Sequence, residues 1–364
     1  MTQRYYSLDT FRGITIALMI LVNTAGNGDT TYAILKHAAW HGFTLADLVF
    51  PSFLFIVGVA IRFSQKSYNY QLSAPIAFKI IRRTLTLFLI SYLIFNIPYI
   101  DFDITHLRIL NVLQRIALCF CAVSFLALII KKPVALALVG VLLLIGYWGI
   151  MWYFGDPADP YGRHGNAALK VDLAVMGANH LYHGEGYAFD PEGFLSTLPA
   201  IVTAIMGYLT GVLISQTNNK LLVMQRLLMI GLACMVIGLL WNQVFPINKK
   251  LWTSSFVVFV GGIDLVILAL LIWLIDVQKW TGWTTFFDVF GKNSIFAYAI
   301  SELLAILSWV FPSADNPFYP MPFRAVFQPI FGDYNGSLAF AISFVLICWL
   351  ACYVLYRRKI FLKI

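Results

Sequence analysis

The stretch VALALVGVLLLIGYWGIM, residues 134–151, carries no charged side chain and is apolar along its whole length. As an α-helix it would rise about 27 Å, close to the roughly 30 Å hydrocarbon core of a bilayer. Loops and turns need polar residues, glycine and proline, and this run has few of them. The stretch therefore predicts a transmembrane helix.

Comparable apolar runs recur along the chain. Of its 364 residues, 60% are hydrophobic and 12% are charged, whereas soluble proteins average roughly 25% charged residues. This composition excludes a soluble enzyme, a disordered protein and a disulfide-stapled secreted domain. We predict an all-α polytopic membrane protein with about ten transmembrane helices, near residues 13–24, 46–64, 84–98, 109–130, 134–154, 194–215, 227–245, 252–275, 286–310 and 338–356.

The net charge of +8 has an explanation in the membrane, so it does not indicate a nucleic-acid partner. With the N-terminus placed in the cytoplasm, about two thirds of the Lys and Arg residues fall on the cytoplasmic side, as the positive-inside rule requires. We therefore expect both termini to be cytoplasmic. We also expect one domain over residues 1–364, with long outer-face loops at 155–193 and 311–337.

Five cysteines lie inside apolar stretches and lack the spacing of a metal site or of a disulfide framework, so we expect no bound metal. The chain also lacks a P-loop, a dinucleotide-binding fingerprint and a GxSxG elbow. Nucleotide hydrolysis and serine-hydrolase chemistry are therefore excluded.

Polar residues beside the apolar runs are the candidates for function, because ionisable groups at membrane depth are costly. In KHAAWHGFTLAD, His37 lies ten residues before Asp47, and Asn23 ends the first run. An imidazole in a helix hairpin with a carboxylate can remove a proton from an amine or alcohol. Equally, the histidine could be an ordinary hydrogen-bonding residue at the interface.

Other clusters leave two interpretations open. Arg12, in SLDTFRG, either forms an interfacial ion pair or binds a phosphate, and Arg115, in LQRIA, either pairs with a carboxylate or holds a phosphate. Asp264 and Glu302 lie within apolar runs and have no assigned role. The segments around DPEG (190–193) and FPINKKLWTSS (245–255) could be a turn and interfacial belt residues.

Taken together, these motifs resemble the heparan-α-glucosaminide N-acetyltransferase family, and its bacterial members linked to amino-sugar use in particular. The resemblance covers residues 7 to about 300. It is carried, in order, by SLDTFRG, the VN ending at Asn23, KHAAWHG, TLADLVFPSFLFIVG, LQRIA, HLY, DPEGFLSTLPAIV, FPINKKLWTSS and FGKNSI.

The resemblance implies a multi-helix membrane enzyme that takes acetyl-CoA from the cytoplasm and acetylates the amine of glucosamine on the opposite side. It implies that His37 is the active-site histidine, with Asn23 and Asp47 as companions. We assign to acetyl-CoA the residues Arg12, Arg82, Arg83, Arg115, Lys292, Asn293 and Ser254. We assign to the sugar the residues His180, Glu192, Trp40, Asn248 and Trp252.

From this resemblance we expect a multi-pass protein of the bacterial inner membrane, able to form a homodimer. The lysosomal relatives carry an additional N-terminal luminal region, which favours a free amino sugar as acceptor here. With His37 as general base, direct transfer is favoured over a route through acetyl-His37. O-acetylation of an envelope glycan is the alternative enzyme activity, and a sugar permease or sensor is the alternative from another class.

Overall fold

The computed structural model describes residues 5–97, 105–313 and 316–362, and these residues are predominantly helical. The all-α prediction is thereby confirmed. The helices are α1 (Tyr6–Asn23), α2 (Leu45–Gln65), α3 (Ala74–Phe95), α4 (Val112–Ile129), α5 (Pro133–Phe154), α6 (Ala167–Met176), α7 (Thr197–Gln216), α8 (Lys220–Trp241), α9 (Ser254–Leu271), α10 (Thr284–Lys292), α11 (Ser294–Val310), α12 (Pro320–Pro322), α13 (Gln328–Phe331) and α14 (Asp333–Arg357). Two short strands, β1 (Pro312–Ser313) and β2 (Asn316–Pro317), pair antiparallel.

Short helical turns complete the chain trace. Three-residue turns lie at Ala33–Leu35, Lys66–Tyr68 and Ala178–His180. Wider, π-helical turns extend α9 over Ile272–Val277 and join α12 to α13 over Phe323–Phe327.

Seven helices in the described ranges are long and apolar enough to cross a membrane, namely α2, α4, α5, α7, α8, α9 and α14. The bent pair of α10 and α11 counts as an eighth when it is taken as one span. Each of the ten predicted runs coincides with a helix, but α1 and α3 carry charged residues near their starts and are not among the seven. By length and composition, the described residues therefore support seven or eight of the roughly ten predicted spans.

Helices α2 and α7 lie at the centre of the fold, because 78% and 72% of their most apolar 18-residue segments are buried. Helices α5, α8 and α14 are mostly exposed. Glycines allow this central contact. Gly58 of α2 faces the backbone carbonyl of Ala204, and Gly207 of α7 faces that of Phe55, so a Cβ at either glycine would overlap the opposite helix. Small residues let transmembrane helices approach this closely.

The predicted run 286–310 is broken in the structure. Helices α10 and α11 meet at an angle of 82°, and Asn293 lies between them with non-helical backbone dihedrals. Its buried side chain donates to the carbonyl of Ile360 and accepts from the amide of Leu362, at 3.1 and 2.9 Å. The C-terminal segment thus stabilises the bend.

The segment 155–193, predicted as a long outer-face loop, is more ordered than a loop. It contains α6, and its aromatic residues join a hydrophobic cluster that includes Tyr161, Phe189, Trp40 and Phe245. This cluster is separate from the main core and lies next to the segment that carries His37. Burial of these aromatic side chains against each other is the physical reason for the order.

Candidate active site

A cavity of 360 Å³, here called the histidine cavity, lies where the end of α1, the start of α2 and the start of α4 come together. The segments around residues 182–192 and 249–250 cover it, and α11 contributes one wall. Its polar lining consists of Asn23, His37, Arg108, Asn111, Tyr182, Glu185, Glu192, Lys249, Lys250, Tyr298 and Glu302. Two of the three predicted catalytic residues, His37 and Asn23, line this cavity. The third, Asp47, does not line it but contacts the side chain of His37.

Asp47 holds His37 in one orientation. The Oδ1 atom of Asp47 lies 2.8 Å from Nδ1 of His37. Its Oδ2 atom accepts hydrogen bonds from the backbone amides of Thr44 and Ala38, at 3.0 and 3.1 Å. An ionised carboxylate can only accept hydrogen bonds, so Nδ1 carries the proton and Nε2 keeps its lone pair. Asp47 occupies this place because it is the third residue of α2 and forms a capping box with Thr44.

The electrostatics of the site keep His37 neutral near pH 7. Burial lowers the pKa of His37 below its ordinary value, and the nearby charge of Lys249 lowers it further, against the opposing effect of Asp47. The Nζ atom of Lys249 lies 3.3 Å from both ring nitrogens. The pKa of Lys249 is itself lowered, chiefly by burial. A neutral imidazole with an unprotonated Nε2 is the form required of a general base.

An ion-pair cluster forms the opposite wall. Arg108 donates to Asp190 at 2.9 and 2.7 Å and to Glu192 at 2.9 Å, and its guanidinium lies 4.6 Å from the ring centre of Tyr182. Burial opposes the ionisation of Glu192, but Arg108 and other cations outweigh it and lower its pKa. Glu192 therefore stays ionised and paired.

A second cavity, of 260 Å³, is here called the basic cavity. Three cations line it: Arg12 of α1, Arg83 of α3 and Lys292 of α10. The rest of its wall is mainly apolar, with residues of α2 and α4. Arg12 also lies 3.7 Å from Asp9 and donates to the carbonyl of Gly291. Three cations beside an apolar slot suit a phosphate-bearing ligand with an apolar arm.

The two cavities lie at different levels of α1, one beside Arg12 in its second turn and one beside its last residue, Asn23, and they share the helices α2, α3, α4 and α11. Helix α2 contributes Phe50 to the histidine cavity and Phe53 to the basic cavity, and α11 contributes Tyr298 and Ile295 in the same way. Residues three apart on a helix are separated by about 4.5 Å along its axis. The cavities therefore approach each other end to end, within about one helical turn.

Several residues assigned to acetyl-CoA lie elsewhere. Arg82 is exposed on α3, and Asn293 stabilises the bend beside the basic cavity without lining it. Ser254 is buried and donates to the carbonyl of Leu144 at 2.7 Å. Arg115 is fully buried and donates to the carbonyl of Gly193, and two of its nitrogens have no hydrogen-bond partner among the residues that the structure describes.

Of the five residues assigned to the sugar, only Glu192 lines the histidine cavity. Nδ1 of His180 donates to the carbonyl of Leu107 at 2.8 Å, outside the cavity. Trp40 donates to the carbonyl of Tyr161, Trp252 donates to Thr203, and Asn248 contacts His41 at 3.3 Å. Trp40, Trp252 and Asn248 are buried supports of the segments that carry the cavity.

Sequence reasoning did not assign roles to Arg108, Lys249 or Glu302. Lys249 lies inside the motif FPINKKLWTSS, next to Asn248, which was assigned to the sugar, so its position in the sequence could have indicated a role in the site. Glu302 stood out only as an ionisable residue in an apolar run. Among the described residues, no group of three or more His, Cys, Asp and Glu side chains is arranged to hold a metal ion.

Comparisons with known proteins agree with the motifs. Residues 4–158 match the family model described as "Heparan-alpha-glucosaminide N-acetyltransferase, catalytic". The human and mouse proteins named heparan-alpha-glucosaminide N-acetyltransferase are 31% and 29% identical to the chain, over 99% of its length and 60% of theirs. The chain thus spans about 60% of the length of these curated relatives. The chain is thus similar to the heparan-alpha-glucosaminide N-acetyltransferases, and its described residues include helices apolar enough for a multi-pass membrane protein.

Proposed function

We propose that the chain, as one domain over residues 1–364, is a transmembrane N-acetyltransferase that moves an acetyl group from acetyl-CoA to the amine of glucosamine or a related amino sugar. The observation that carries this proposal is the pairing of Asp47 with His37 at the wall of one cavity, while a second cavity, lined by three cations, lies nearer the start of α1. An acyl transfer from a phosphate-rich donor to an amine needs both parts.

The basic cavity is the proposed site for the phosphates of acetyl-CoA. Arg12, Arg83 and Lys292 supply charge-assisted hydrogen bonds, and the apolar wall suits the arm that ends in the thioester. The same three cations are near the cytoplasmic end of their helices in the topology inferred from the positive-inside rule. In this proposal acetyl-CoA binds from the cytoplasm and the sugar from the periplasm of a bacterial inner membrane.

In the proposed reaction, the neutral amine attacks the thioester carbonyl and Nε2 of His37 removes its proton. Asp47 accepts from Nδ1 and stabilises the imidazolium that forms, which then protonates the departing thiolate. Asn23 orients the amine or the carbonyl. Lys249, at the edge of the imidazole, stabilises the negative charge that develops on the carbonyl oxygen.

Sealed proteoliposomes of known orientation test the proposal. Radiolabelled acetyl-CoA is supplied on the face of Arg357 and Arg358, and glucosamine on the opposite face. We expect labelled N-acetylglucosamine and free CoA thiol, and we expect their loss in His37→Ala, because Nε2 is the base. His106→Ala, an exposed histidine outside the cavity, is the matched control.

The proposal is refuted if the wild-type protein transfers no acetyl group to an amino sugar. Transfer at full rate with both substrates on the same face would instead overturn the transmembrane route. Labelled protein that accumulates before glucosamine is added would replace direct transfer with a route through acetyl-His37.

A further inference from the structure

Three glutamates line the histidine cavity, and two of them are already neutralised. Glu185 forms an ion pair with Lys250 at 2.5 Å, and Glu192 forms one with Arg108 at 2.9 Å. Within the described part of the chain, no ion pair is formed by the third, Glu302. The three carboxylates are therefore not equivalent toward an incoming ligand.

The neighbours of Glu302 are neutral donors. Asn23 donates from Nδ2 to Oε1 of Glu302 at 3.4 Å, and the phenol of Tyr298, one helical turn earlier on α11, also hydrogen-bonds the carboxyl group. The other titratable groups that face it are the phenol of Tyr319 and the thiol of Cys348. None of these groups carries a positive charge. A carboxylate at membrane depth normally pairs with a cation or with a ligand.

We propose that Glu302 binds the ammonium group of the acceptor sugar and takes its first proton. This inference rests on the proposed function and assigns its substrate class, a sugar that arrives as a cation. Glu302 and Asn23 line the same cavity as His37, so an acceptor held by the carboxylate is presented to the base. Because the donors around Glu302 are neutral, the negative charge of its carboxylate can pair with the positive charge of the ligand.

The two-proton sequence balances. An N–H bond of the ammonium breaks and an O–H bond forms on Glu302, which leaves a neutral amine. The amine adds to the thioester carbonyl, its second proton passes to Nε2 of His37, and the C–S bond breaks. The imidazolium protonates the thiolate. The products are an amide, the CoA thiol and one proton, which leaves Glu302 for water on the acceptor side.

Binding of glucosamine and glucose, without acetyl-CoA, measures the first half of this proposal. The two sugars differ by an ammonium in place of a hydroxyl. Below the pKa of the amine, we expect the wild type to prefer glucosamine by at least about tenfold, the size of one charge-assisted hydrogen bond. In Glu302→Gln, which keeps the shape and a hydrogen-bonding carbonyl, the preference should fall close to unity.

Asp333→Asn is the matched control, because it removes the same charge at an exposed position outside the cavity. It should leave the preference for glucosamine unchanged. Glu302→Asp, which restores the charge, should recover part of the preference. If Glu302→Gln is not monodisperse in detergent, the wild type alone decides, since its preference must disappear as pH is raised through the amine's own pKa.

The acetylation rate measures the second half. Without the carboxylate, only sugar that is already deprotonated reacts, so the pH optimum of Glu302→Gln should move upward. An unchanged optimum, or a retained preference for glucosamine in this variant, overturns the proposal while the acetyltransferase activity stands. A wild type that binds glucosamine but transfers no acetyl group would overturn the proposed function and leave the ammonium site intact.

Discussion

Asp47→Asn changes one oxygen to an amide nitrogen at the centre of the proposed site, and its outcome follows from the contacts. The backbone amides of Thr44 and Ala38 both point at Oδ2 of Asp47 and need an acceptor there. They cannot change roles, whereas the imidazole of His37 can change tautomer. The asparagine oxygen should therefore face the two amides, and its NH₂ group should face Nδ1.

In that arrangement Nδ1 becomes an acceptor and the ring proton moves to Nε2. The base is then blocked by its own proton. In a serine protease, the change of the aspartate that hydrogen-bonds the catalytic histidine to asparagine lowers kcat by about ten thousandfold. For this protein we expect kcat to fall by at least about a hundredfold, since general-base catalysis contributes roughly 10² to 10⁴.

The variant should still fold. Its amide oxygen preserves most of the capping box of α2, so the loss of stability should be no larger than about 1 kcal/mol, the usual size of a cap. The assay is the initial rate of labelled N-acetylglucosamine formation, with thermal unfolding in detergent measured on the same preparation. Asp333→Asn is the control, because Asp333 is also a first-turn acid, on α14, but contacts no histidine.

If Asp47→Asn is folded and keeps more than a tenth of the wild-type kcat, the tautomer argument is wrong. Asp47 would then be only a helix cap. If both Asp47→Asn and Asp333→Asn lose activity to the same extent, the effect belongs to the fold and not to His37.

Two further predictions follow from the charges. Burial and the charge of Lys249 lower the pKa of His37, so kcat should fall only below the ordinary histidine pKa of about 6.5. In Lys249→Met the pKa of His37 should rise, and the acid limb of the kcat–pH profile should move to higher pH. An acid limb that does not move would refute this coupling. Changing Arg12, Arg83 or Lys292 to Gln should weaken acetyl-CoA binding by about tenfold or more, measured by calorimetry, with little change in glucosamine binding. Lys79→Gln, exposed on α3, is the control; equal weakening in Arg82→Gln would extend the phosphate site beyond the cavity.

The sequence predicts local relations in this protein better than distant ones. His37 and Asp47 are ten residues apart, and the capping position of Asp47 fixes their contact, so a hairpin argument was enough to pair them. Asn23 and Glu302 are 279 residues apart, and Lys249 and His37 are 212 apart. Such pairs depend on how helices assemble, which apolar periodicity does not encode.

Breaks within apolar runs were also hidden from the sequence. The sequence predicts one span over residues 286–310 because most of them are apolar, whereas in the structure the chain turns by 82° at a buried asparagine. That turn brings Lys292 to the basic cavity. In the same way, Arg115 has the residue type of a phosphate ligand, yet its guanidinium donates to the carbonyl of Gly193 and lies 5.0 Å from the ring centre of Trp252.

In the proposed site, the cations and the histidine lie in separate cavities. Arg12 lies in the second turn of α1 and Asn23 is its last residue, about 16 Å further along the axis. Different elements carry the cations and the histidine, so a charge removed at one end acts on the other only through the substrate that joins them. Binding of acetyl-CoA and the rate of proton removal should therefore vary independently among single variants. Their dependence on one another arises only at the shared wall around Phe50 and Phe53, where the thioester must lie if the acetyl group is to pass directly to the amine.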